Sequence, residues 1–310
     1  MPHTPAPPPT RPALRGRTAV VTGASDGVGV EIARGLAAAG AHVILPVRSR
    51  AKGERAAARI RETVPDARLS LRDLDLARLA SVRALAADLV AEGTPVDLLV
   101  LNAGVVLLAD RTRYETEDGC ELHLQTNFLG HALLTRELLS LLRGGRVVVQ
   151  SSLAAAVARV RWEDLQLRRR YGAFRAYGAS KVLLGAWGFE LARRSAAEGW
   201  SVTVKAGHPG VAAETAIAPP IRALVPASAA HTFARWVGNT PERAAEPALR
   251  AAVADAAEPD FFAPAGFLQI GGAAVGRRPF RRIADPVTGA RAWQVAEELV
   301  VAPDRGSLRG

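Results

Sequence analysis

Short apolar segments alternate with longer helical segments along most of this chain, and this alternation limits the fold more than any other feature. Segments such as Ala19–Val21 and Leu98–Leu101 are apolar at every residue rather than at every second one. Strands that are buried on both faces have this composition. We therefore predict an α/β fold, a single-domain, Rossmann-type, doubly wound parallel sheet of about seven strands with helices on both faces. Strands are predicted at 18–21, 41–47, 67–71, 96–101, 146–150 and 201–206, and helices at 27–39, 51–63, 79–91, 119–142 and 174–197.

The two ends of the chain differ in composition from its centre. Residues 1–14 are rich in proline, which predicts a disordered tail. Residues 15–310 contain no internal repeat and no Ser/Gly linker, so we predict one domain, with a variable segment after about residue 210. No apolar run approaches the ~18 residues of a membrane helix, and no secretory signal is evident. We expect a cytoplasmic protein without membrane insertion.

Charge and cysteine content narrow the classes of partner. The formal net charge is +10, which can indicate a nucleic-acid partner. The basic residues are scattered among acidic ones, so we interpret them as a solvated arginine-rich surface and predict no nucleic-acid partner. Lysine is rare, since only Lys52, Lys181 and Lys205 occur, and a lysine at a particular position is therefore informative. Cys120 is the only cysteine; we predict that it is a buried small side chain, and we predict no metal site.

A glycine-rich turn, Thr22–Gly29, joins the first strand to the first helix. Glycines let the backbone approach a pyrophosphate, and the helix N-terminus supplies N–H donors and a positive dipole end. The spacing is Gly-x3-Gly-x-Gly rather than the more familiar Gly-x-Gly-x-x-Gly. The turn predicts a dinucleotide site with these cofactor-binding residues: Gly23, Ser25, Asp26, Gly27, Val28 and Gly29.

The end of the second strand favours NADP(H) as the cofactor. A carboxylate at this place would bind the ribose 2′-hydroxyl of NAD, but none occurs between Arg48 and Glu54. Arg48, with the adjoining Ser49, suits a 2′-phosphate, because a guanidinium can bond phosphate oxygens bidentately. Against this, Arg48 could be one surface arginine among many, and the carboxylate of Asp26 would repel a phosphate.

Three segments together carry a family resemblance: the Thr22–Gly29 turn, Leu101–Gly104 after the fourth strand, and Tyr177–Lys181. In this order they resemble the short-chain dehydrogenase/reductase family, over roughly residues 16–210. Further stretches resemble its retinol-dehydrogenase/protochlorophyllide-reductase-like branch: Val47–Ser49, Leu74–Leu76, Leu79–Arg83, Thr116–Gly119, Thr126–His131 and His208–Gly210.

The resemblance implies roles for individual residues. Asp75 and Leu76 would meet the adenine, and Asn102, Ala103 and Gly104 would line the cleft behind the adenine ribose. Pro209 and Gly210 would lie near the nicotinamide carboxamide, beside a structural His208. Asn127 would hold a water of the proton relay. Ser152 would polarise the substrate, with Ser151 as the weaker alternative.

Tyr177 and Lys181 are the expected acid/base pair. Residues four apart lie on one face of a helix. A free phenol has a pKa near 10, and a nearby ammonium would lower it. In reduction, Ser152 and Tyr177 would hydrogen-bond the carbonyl oxygen, Tyr177 would deliver the proton and Lys181 would help to replace it. Tyr177 and Lys181 would also contact the cofactor.

Some positions depart from the branch pattern or remain open. Glu214 stands where the branch has Thr, and Lys205 replaces an apolar strand residue. The segment Trp162–Tyr171, Trp236 and the Phe261–Ile270 region are predicted to wall a pocket for an apolar substrate. We thus predict an NADP(H)-dependent oxidoreductase for a small carbonyl or alcohol compound. Residues 15–310 would then be a single dinucleotide-binding and catalytic domain, with a variable substrate lid and C-terminal segment after about residue 210. The alternatives are a catalytically idle nucleotide-binding scaffold or sensor and a nucleic-acid binder, and the resemblance allows either a monomer or a homo-oligomer.

Overall fold

The computed structural model describes residues 14–108, 110–211 and 239–301. Within these segments, eight strands form one sheet in the order β3-β2-β1-β4-β5-β6-β7-β8. They are β1 Thr18–Val21, β2 His42–Val47, β3 Arg68–Asp73, β4 Leu98–Leu101, β5 Arg146–Gln150, β6 Thr203–Gly207, β7 Phe261–Pro264 and β8 Ala274–Gly276. All pairs are parallel except β7 with β8. The predicted doubly wound sheet is confirmed, and it has one short antiparallel edge strand beyond the seven expected.

Helices cover both faces of this sheet and enclose two apolar cores. One face carries α1 Gly27–Ala38, α2 Arg50–Thr63 and α8 Pro241–Val253. The other carries α3 Leu79–Glu92, α4 Leu122–Leu124, α5 Gly130–Glu137, α6 Ala154–Val157, α7 Ala173–Glu198, α9 Arg281–Ala284 and α10 Pro286–Val301. Successive strand residues point to opposite faces. Val148 lies in the core beneath α1, α2 and α8, whereas Val147 and Val149 lie in the core on the other face of the sheet. Burial on both faces explains why the central strands are apolar throughout.

The single helix predicted at 119–142 is wrong in its bounds and its regularity. Gly119 has φ +76°, a left-handed conformation that does not continue a helix. The helix therefore starts only after Glu121, whose carboxylate accepts the backbone N–H of Leu124 at 2.8 Å. It continues through a π-helical turn at Gln125–Leu129 and ends at Glu137.

The structure shows the contacts of two residues, Lys205 and Leu14, that differ from expectation. Lys205 is buried in β6, and its Nζ donates to Asp260 Oδ1 at 2.9 Å and to the Glu258 carbonyl at 2.8 Å. This lysine therefore joins β6 to the loop before β7. Leu14, predicted to belong to a disordered tail, is buried and donates its N–H to the Ala39 carbonyl at 2.9 Å.

Several predictions concern residues outside the described segments. They include the tail at 1–13, much of the proposed lid, Glu214 and Trp236. Among the helices of the described segments, none is both long and apolar enough to cross a membrane. The same part of the chain contains no group of three or more His, Cys, Asp or Glu side chains that could hold a metal ion. Cys120 is buried, as predicted, and burial raises the pKa of its thiol.

Candidate active site

A cleft of about 490 Å³ opens where the central parallel strands end. Ligands of open α/β sheets bind at this edge. Of the residues predicted to bind cofactor, all except Gly210 line the cleft: Gly23, Ser25, Asp26, Gly27, Val28, Gly29, Arg48, Ser49, Asp75, Leu76, Asn102, Ala103, Gly104, Tyr177, Lys181 and Pro209. The cleft is also lined by Thr126 and Gln150, for which the sequence indicated no role.

The glycine turn is held tightly against the end of β4. Gly23 has φ +70°, and a Cβ on it would lie 2.8 Å from Ala103 Cα. A Cβ on Gly29 would lie 2.1 Å from the Gly23 carbonyl oxygen. Asn102 Nδ2 donates to the carbonyl of Thr22 at 2.9 Å, and the Thr22 hydroxyl accepts the N–H groups of Asn102 and Ala103. These contacts leave no room for a side chain and place the backbone of the turn at the cleft surface.

The acidic and the basic side chains near the predicted 2′-phosphate position have different surroundings. Asp26 caps α1, where its Oδ1 accepts the backbone N–H of Gly27 at 2.8 Å. Its carboxylate is thus partly neutralised by a helix N-terminus. Arg48 and Lys52 are exposed, and no ion pair is recorded for either within the described residues, whereas the neighbouring Arg50 pairs with Glu54. Their positive charges remain available to an anionic ligand.

Asp75 and Leu76 follow β3 and line the same cleft. The Asp75 carboxylate accepts the N–H of Ala77 at 3.0 Å, and the Asp75 N–H donates to the Ser81 hydroxyl at 2.9 Å. Leu76 is buried against Gly130, where an added Cβ would approach the Leu76 carbonyl oxygen to 2.7 Å. The loop is fixed in place, although its contact with an adenine stays a prediction.

Lys181 lies on α7 with its ammonium in the cleft floor. It is 4% exposed, and its Nζ donates to the Gln150 carbonyl at 3.1 Å. Burial lowers the pKa of Lys181 to about 8. A Cβ on Gly104 would lie 3.3 Å from this Nζ and 3.1 Å from Asn127 Oδ1, so glycine at this position lets both groups reach the cleft.

Tyr177 lies one helical turn before Lys181. Burial raises the pKa of the Tyr177 phenol, and a hydrogen bond with the Ser152 side chain acts in the opposite direction. The expectation that the Lys181 ammonium lowers this pKa is therefore wrong for the protein alone. The loss of water around the phenol raises its pKa by more than the Ser152 side chain lowers it, because a phenolate is costly in a buried site.

The two adjacent serines have different surroundings. The Ser152 side chain lies within hydrogen-bonding reach of the Tyr177 phenol, and its Oγ accepts the Ala154 N–H at 3.3 Å. Ser151 is 2% exposed, and its hydroxyl donates to the Lys181 carbonyl at 3.4 Å. Ser151 is among the residues that line the cleft and Ser152 is not, so the choice of Ser152 as the group that polarises a substrate stays a prediction, supported by its position beside the Tyr177 phenol.

Asn127 lies in the π-helical turn and is fully buried. Its Oδ1 accepts the Val105 N–H at 2.8 Å, and its Nδ2 donates to the Val105 carbonyl and the Ser180 hydroxyl. Both amide donors are therefore already used to join the β4 loop to α7. The predicted relay role of Asn127 stays a prediction, and the structure adds a bracing role.

Two buried histidines near the site were missed by the sequence analysis. The His123 ring meets the Tyr177 ring edge-on at 6.3 Å, and its Nδ1 bonds Glu121 Oε1 at 2.8 Å. His131 connects the Asn127 carbonyl to the Thr22 hydroxyl, and burial lowers the pKa of His131 to about 3. The detectable signal was the presence of polar residues inside an otherwise apolar helix.

His208 and Gly210 support the end of the cleft rather than line it. His208 Nδ1 accepts the Gly210 N–H at 3.1 Å, and its Nε2 bonds Gln269 Oε1 at 2.8 Å. Burial lowers the pKa of His208 to about 4, so the ring is neutral. Gly210 has φ +76°, and a Cβ on it would lie 2.2 Å from the Ile270 carbonyl oxygen. This geometry agrees with a structural His208.

Among the described residues, the aromatic side chains predicted to wall the substrate pocket do not line this cleft, and Trp236 lies outside the described segments. Phe261 and Phe262 are fully buried in the two cores. Phe267 is 84% exposed at the tip of the β7–β8 hairpin. Trp162 packs under the guanidinium of Arg291 at 4.1 Å. Aromatic composition alone did not distinguish packing residues from pocket residues.

The chain is similar in sequence to proteins of one family. The family model for short chain dehydrogenases matches residues 17–224. Polyprenol dehydrogenase from Mus musculus is 43% identical over 211 residues, which cover 66% of this chain and 62% of that protein. Retinol dehydrogenase 12 from Mus musculus is 41% identical over 201 residues, which cover 64% and 62%. The chain thus spans less than two thirds of the length of these two relatives.

Solved structures resemble the fold as a whole. The crystal structure of an uncharacterized protein from Mycobacterium paratuberculosis has a TM-score of 0.76 and 32% identity, and the match covers 96% of this chain and 98% of that one. The Pseudomonas aeruginosa RhlG/NADP active-site complex has a TM-score of 0.63 and 28% identity, with 80% and 94% covered. The first likeness extends over almost the whole chain.

Proposed function

This chain belongs to the short chain dehydrogenase family, in which it groups with the retinol dehydrogenases, and from that premise we propose that it transfers hydride between NADP(H) and a carbonyl or alcohol carbon. The observation that carries the proposal is the convergence of Tyr177, Lys181 and Ser152. Tyr177 and Lys181 line the cleft that contains the glycine turn, and the Ser152 side chain lies within hydrogen-bonding reach of the phenol. In this proposal a phenol, an ammonium and a hydroxyl act together at one end of a dinucleotide cleft.

The residues of this chain would bind the substrate oxygen and transfer its proton, while the cofactor would supply the hydride. The hydroxyls of Ser152 and Tyr177 donate hydrogen bonds to the carbonyl oxygen and stabilise the negative charge that develops there. Tyr177 then gives its proton to that oxygen. Lys181, whose pKa is about 8, is a stronger acid than the buried phenol and returns a proton to the phenolate. Asn127, beside Gly104 and Lys181, is proposed to hold the water that reprotonates Lys181.

NADP(H) is favoured over NAD(H) by charge. Arg48 and Lys52 line the cleft where the second strand ends, and the residues after this strand include no acid before Glu54. A related structure, RhlG, is an NADP complex. Two cations suit a 2′-phosphate, and the one carboxylate near this position that could oppose it, Asp26, accepts a hydrogen bond at the N-terminus of α1.

Arg48→Glu is expected to weaken NADPH binding by about 10–100-fold, because a charge-assisted hydrogen bond is replaced by repulsion. NADH binding should change much less, since NADH has no 2′-phosphate. Isothermal titration with both cofactors measures the difference. Arg50→Glu is the matched control, because Arg50 pairs with Glu54 and does not line the cleft. Equal losses for NADPH and NADH in Arg48→Glu would contradict the assignment.

The substrate is proposed to be an apolar, isoprenoid-like alcohol or aldehyde. The relatives carry the names polyprenol dehydrogenase and retinol dehydrogenase. The exposed Val106 lines the cleft together with Val105, and such a rim suits a hydrocarbon chain.

The decisive assay follows the loss of reduced-nicotinamide absorbance with retinal, farnesal, a small ketone and a sugar aldehyde. We expect turnover with the isoprenoid aldehydes and little with the sugar. Binding of NADPH without turnover of any carbonyl compound would favour the idle scaffold instead. Turnover of the sugar aldehyde alone would contradict the proposed substrate class while leaving the reaction type intact.

A further inference from the structure

The last residue of β5, Gln150, carries an unsatisfied amide. Gln150 is 4% exposed, and neither its Oε1 nor its Nε2 has a hydrogen-bond partner in the part of the chain that the structure describes. Leaving both ends of a buried amide unpaired costs free energy, and native proteins rarely do so. The unpaired amide therefore indicates a ligand that supplies the missing partners.

The other unsatisfied atoms point to the same place. Within the described segments, the buried side-chain atoms without partners belong to Gln150, Thr126 and Arg113. Gln150 and Thr126 both line the cleft, whereas Arg113 does not. Three of these four atoms thus lie in residues around one cavity. A bound molecule in this cavity is the simplest common partner.

The position of Gln150 in the sheet indicates which part of a bound ligand would lie beside it. Its neighbour Val149 packs against Gly188 of α7, so strand alternation turns the Gln150 side chain to the opposite face, which α1 and α8 cover. Its backbone lies opposite Gly207 in β6, two residues before Pro209, and its carbonyl accepts Lys181 Nζ. Gln150 therefore lies at the Lys181 end of the cleft, where the reaction would occur, and far along the sheet from β2 and Arg48.

We propose that Gln150 binds the nicotinamide half of the dinucleotide and so fixes the reacting ring. An amide offers one acceptor and two donors, which complement the carboxamide of nicotinamide. This inference rests on the proposed function, since it takes the ligand to be a nicotinamide dinucleotide. Gln150 is thereby a cofactor-binding residue in addition to those expected from the sequence.

The test compares Gln150→Met with Gln125→Met. Methionine has nearly the size of glutamine but no amide. Gln125 is also fully buried, but its amide bonds Thr116 and Asp118, and it does not line the cleft. Thermal unfolding without ligand should show a higher Tm for Gln150→Met, by about 2–4 °C, and a lower Tm for Gln125→Met.

Calorimetry with two ligands locates the contact. NADPH should bind Gln150→Met about tenfold more weakly than wild type. Adenosine 2′,5′-bisphosphate, which has no nicotinamide, should bind both proteins equally. Gln125→Met should bind both ligands as the wild type does. Gln150→Leu provides a second variant with the same expected pattern.

Three results would overturn the inference. A lower Tm for Gln150→Met and Gln150→Leu without ligand would show that the amide already has a partner in the protein. Unchanged NADPH affinity would show that the amide does not bind the cofactor, and an equal loss for the bisphosphate would show general damage to the cleft. If wild type binds neither ligand, the proposed function itself fails and this inference fails with it.

Discussion

Tyr177→Phe is expected to lower kcat for carbonyl reduction by about 10²–10⁴-fold, the usual contribution of a positioned general acid. The phenyl ring keeps the packing against His123 but has no proton to give and no hydrogen bond for the substrate oxygen. NADPH affinity should change much less than kcat, because the ring of Tyr177 that lines the cleft is kept and only its hydroxyl is lost. Single-turnover kinetics with a saturating aldehyde, together with calorimetric titration of NADPH, measure both quantities.

The control for this variant is Tyr114→Phe. Tyr114 is 42% exposed and donates its hydroxyl to Asp110, outside the residues that line the cleft. Its kcat should equal that of wild type. A Tyr177→Phe enzyme with more than about a tenth of wild-type kcat would remove the phenol from the proposed chemistry, and the hydroxyl of Ser152 would then have to be reconsidered as the proton donor.

The backbone of the site was predictable because its signals are local. A continuously apolar strand and a turn with glycines at 23, 27 and 29 each describe one stretch of chain, and the structure places β1, the turn and α1 as expected. Gly29 shows the reason, since any side chain at that position would collide with the Gly23 carbonyl. Steric restrictions of this kind act between residues that are close in sequence, so they are visible in the sequence as a fixed spacing of glycines.

The electrostatics of the site were not predictable in the same way. The rule that an ammonium lowers the pKa of a nearby phenol considers two groups, but the pKa of Tyr177 depends on how much water the whole fold removes. The unsatisfied amide of Gln150 is likewise invisible in the sequence, since only the folded structure shows which atoms lack partners. Residue type indicated the chemistry of the site, whereas burial determined its energetics.

Lys181 shows how function and stability oppose each other in this site. Burial lowers the pKa of Lys181 from its usual 10.5 to about 8. Below pH 8 the folded protein carries a buried ammonium that the unfolded chain carries in water, and stability is reduced. Between about pH 8 and 10.5 the folded state has lost this proton while the unfolded state still holds it, so stability rises with pH in this window.

Lys181→Met should therefore make the protein more stable at pH 7 while lowering kcat by at least about 10²-fold. The gain should be at most about 3 kcal/mol, since each pKa unit corresponds to 1.36 kcal/mol and the lost bond to the Gln150 carbonyl opposes it. Urea unfolding at several pH values should also show that the rise in stability between about pH 8 and 10.5 disappears. Lower stability at pH 7 would contradict the assigned burial cost.

Lys205→Met is the matched comparison, because Lys205 is also buried but pairs with Asp260 and the Glu258 carbonyl. Removing the ammonium loses the hydrogen bond to the Glu258 carbonyl and the ion pair with the largely exposed Asp260 carboxylate, so this substitution should destabilise the protein. Opposite signs for the two lysines would show that the ammonium of Lys181 is held at a net cost in the absence of ligand. An enzyme tolerates such a cost where the charged group serves the reaction, because an acid with a pKa near 8 can exchange protons close to neutral pH.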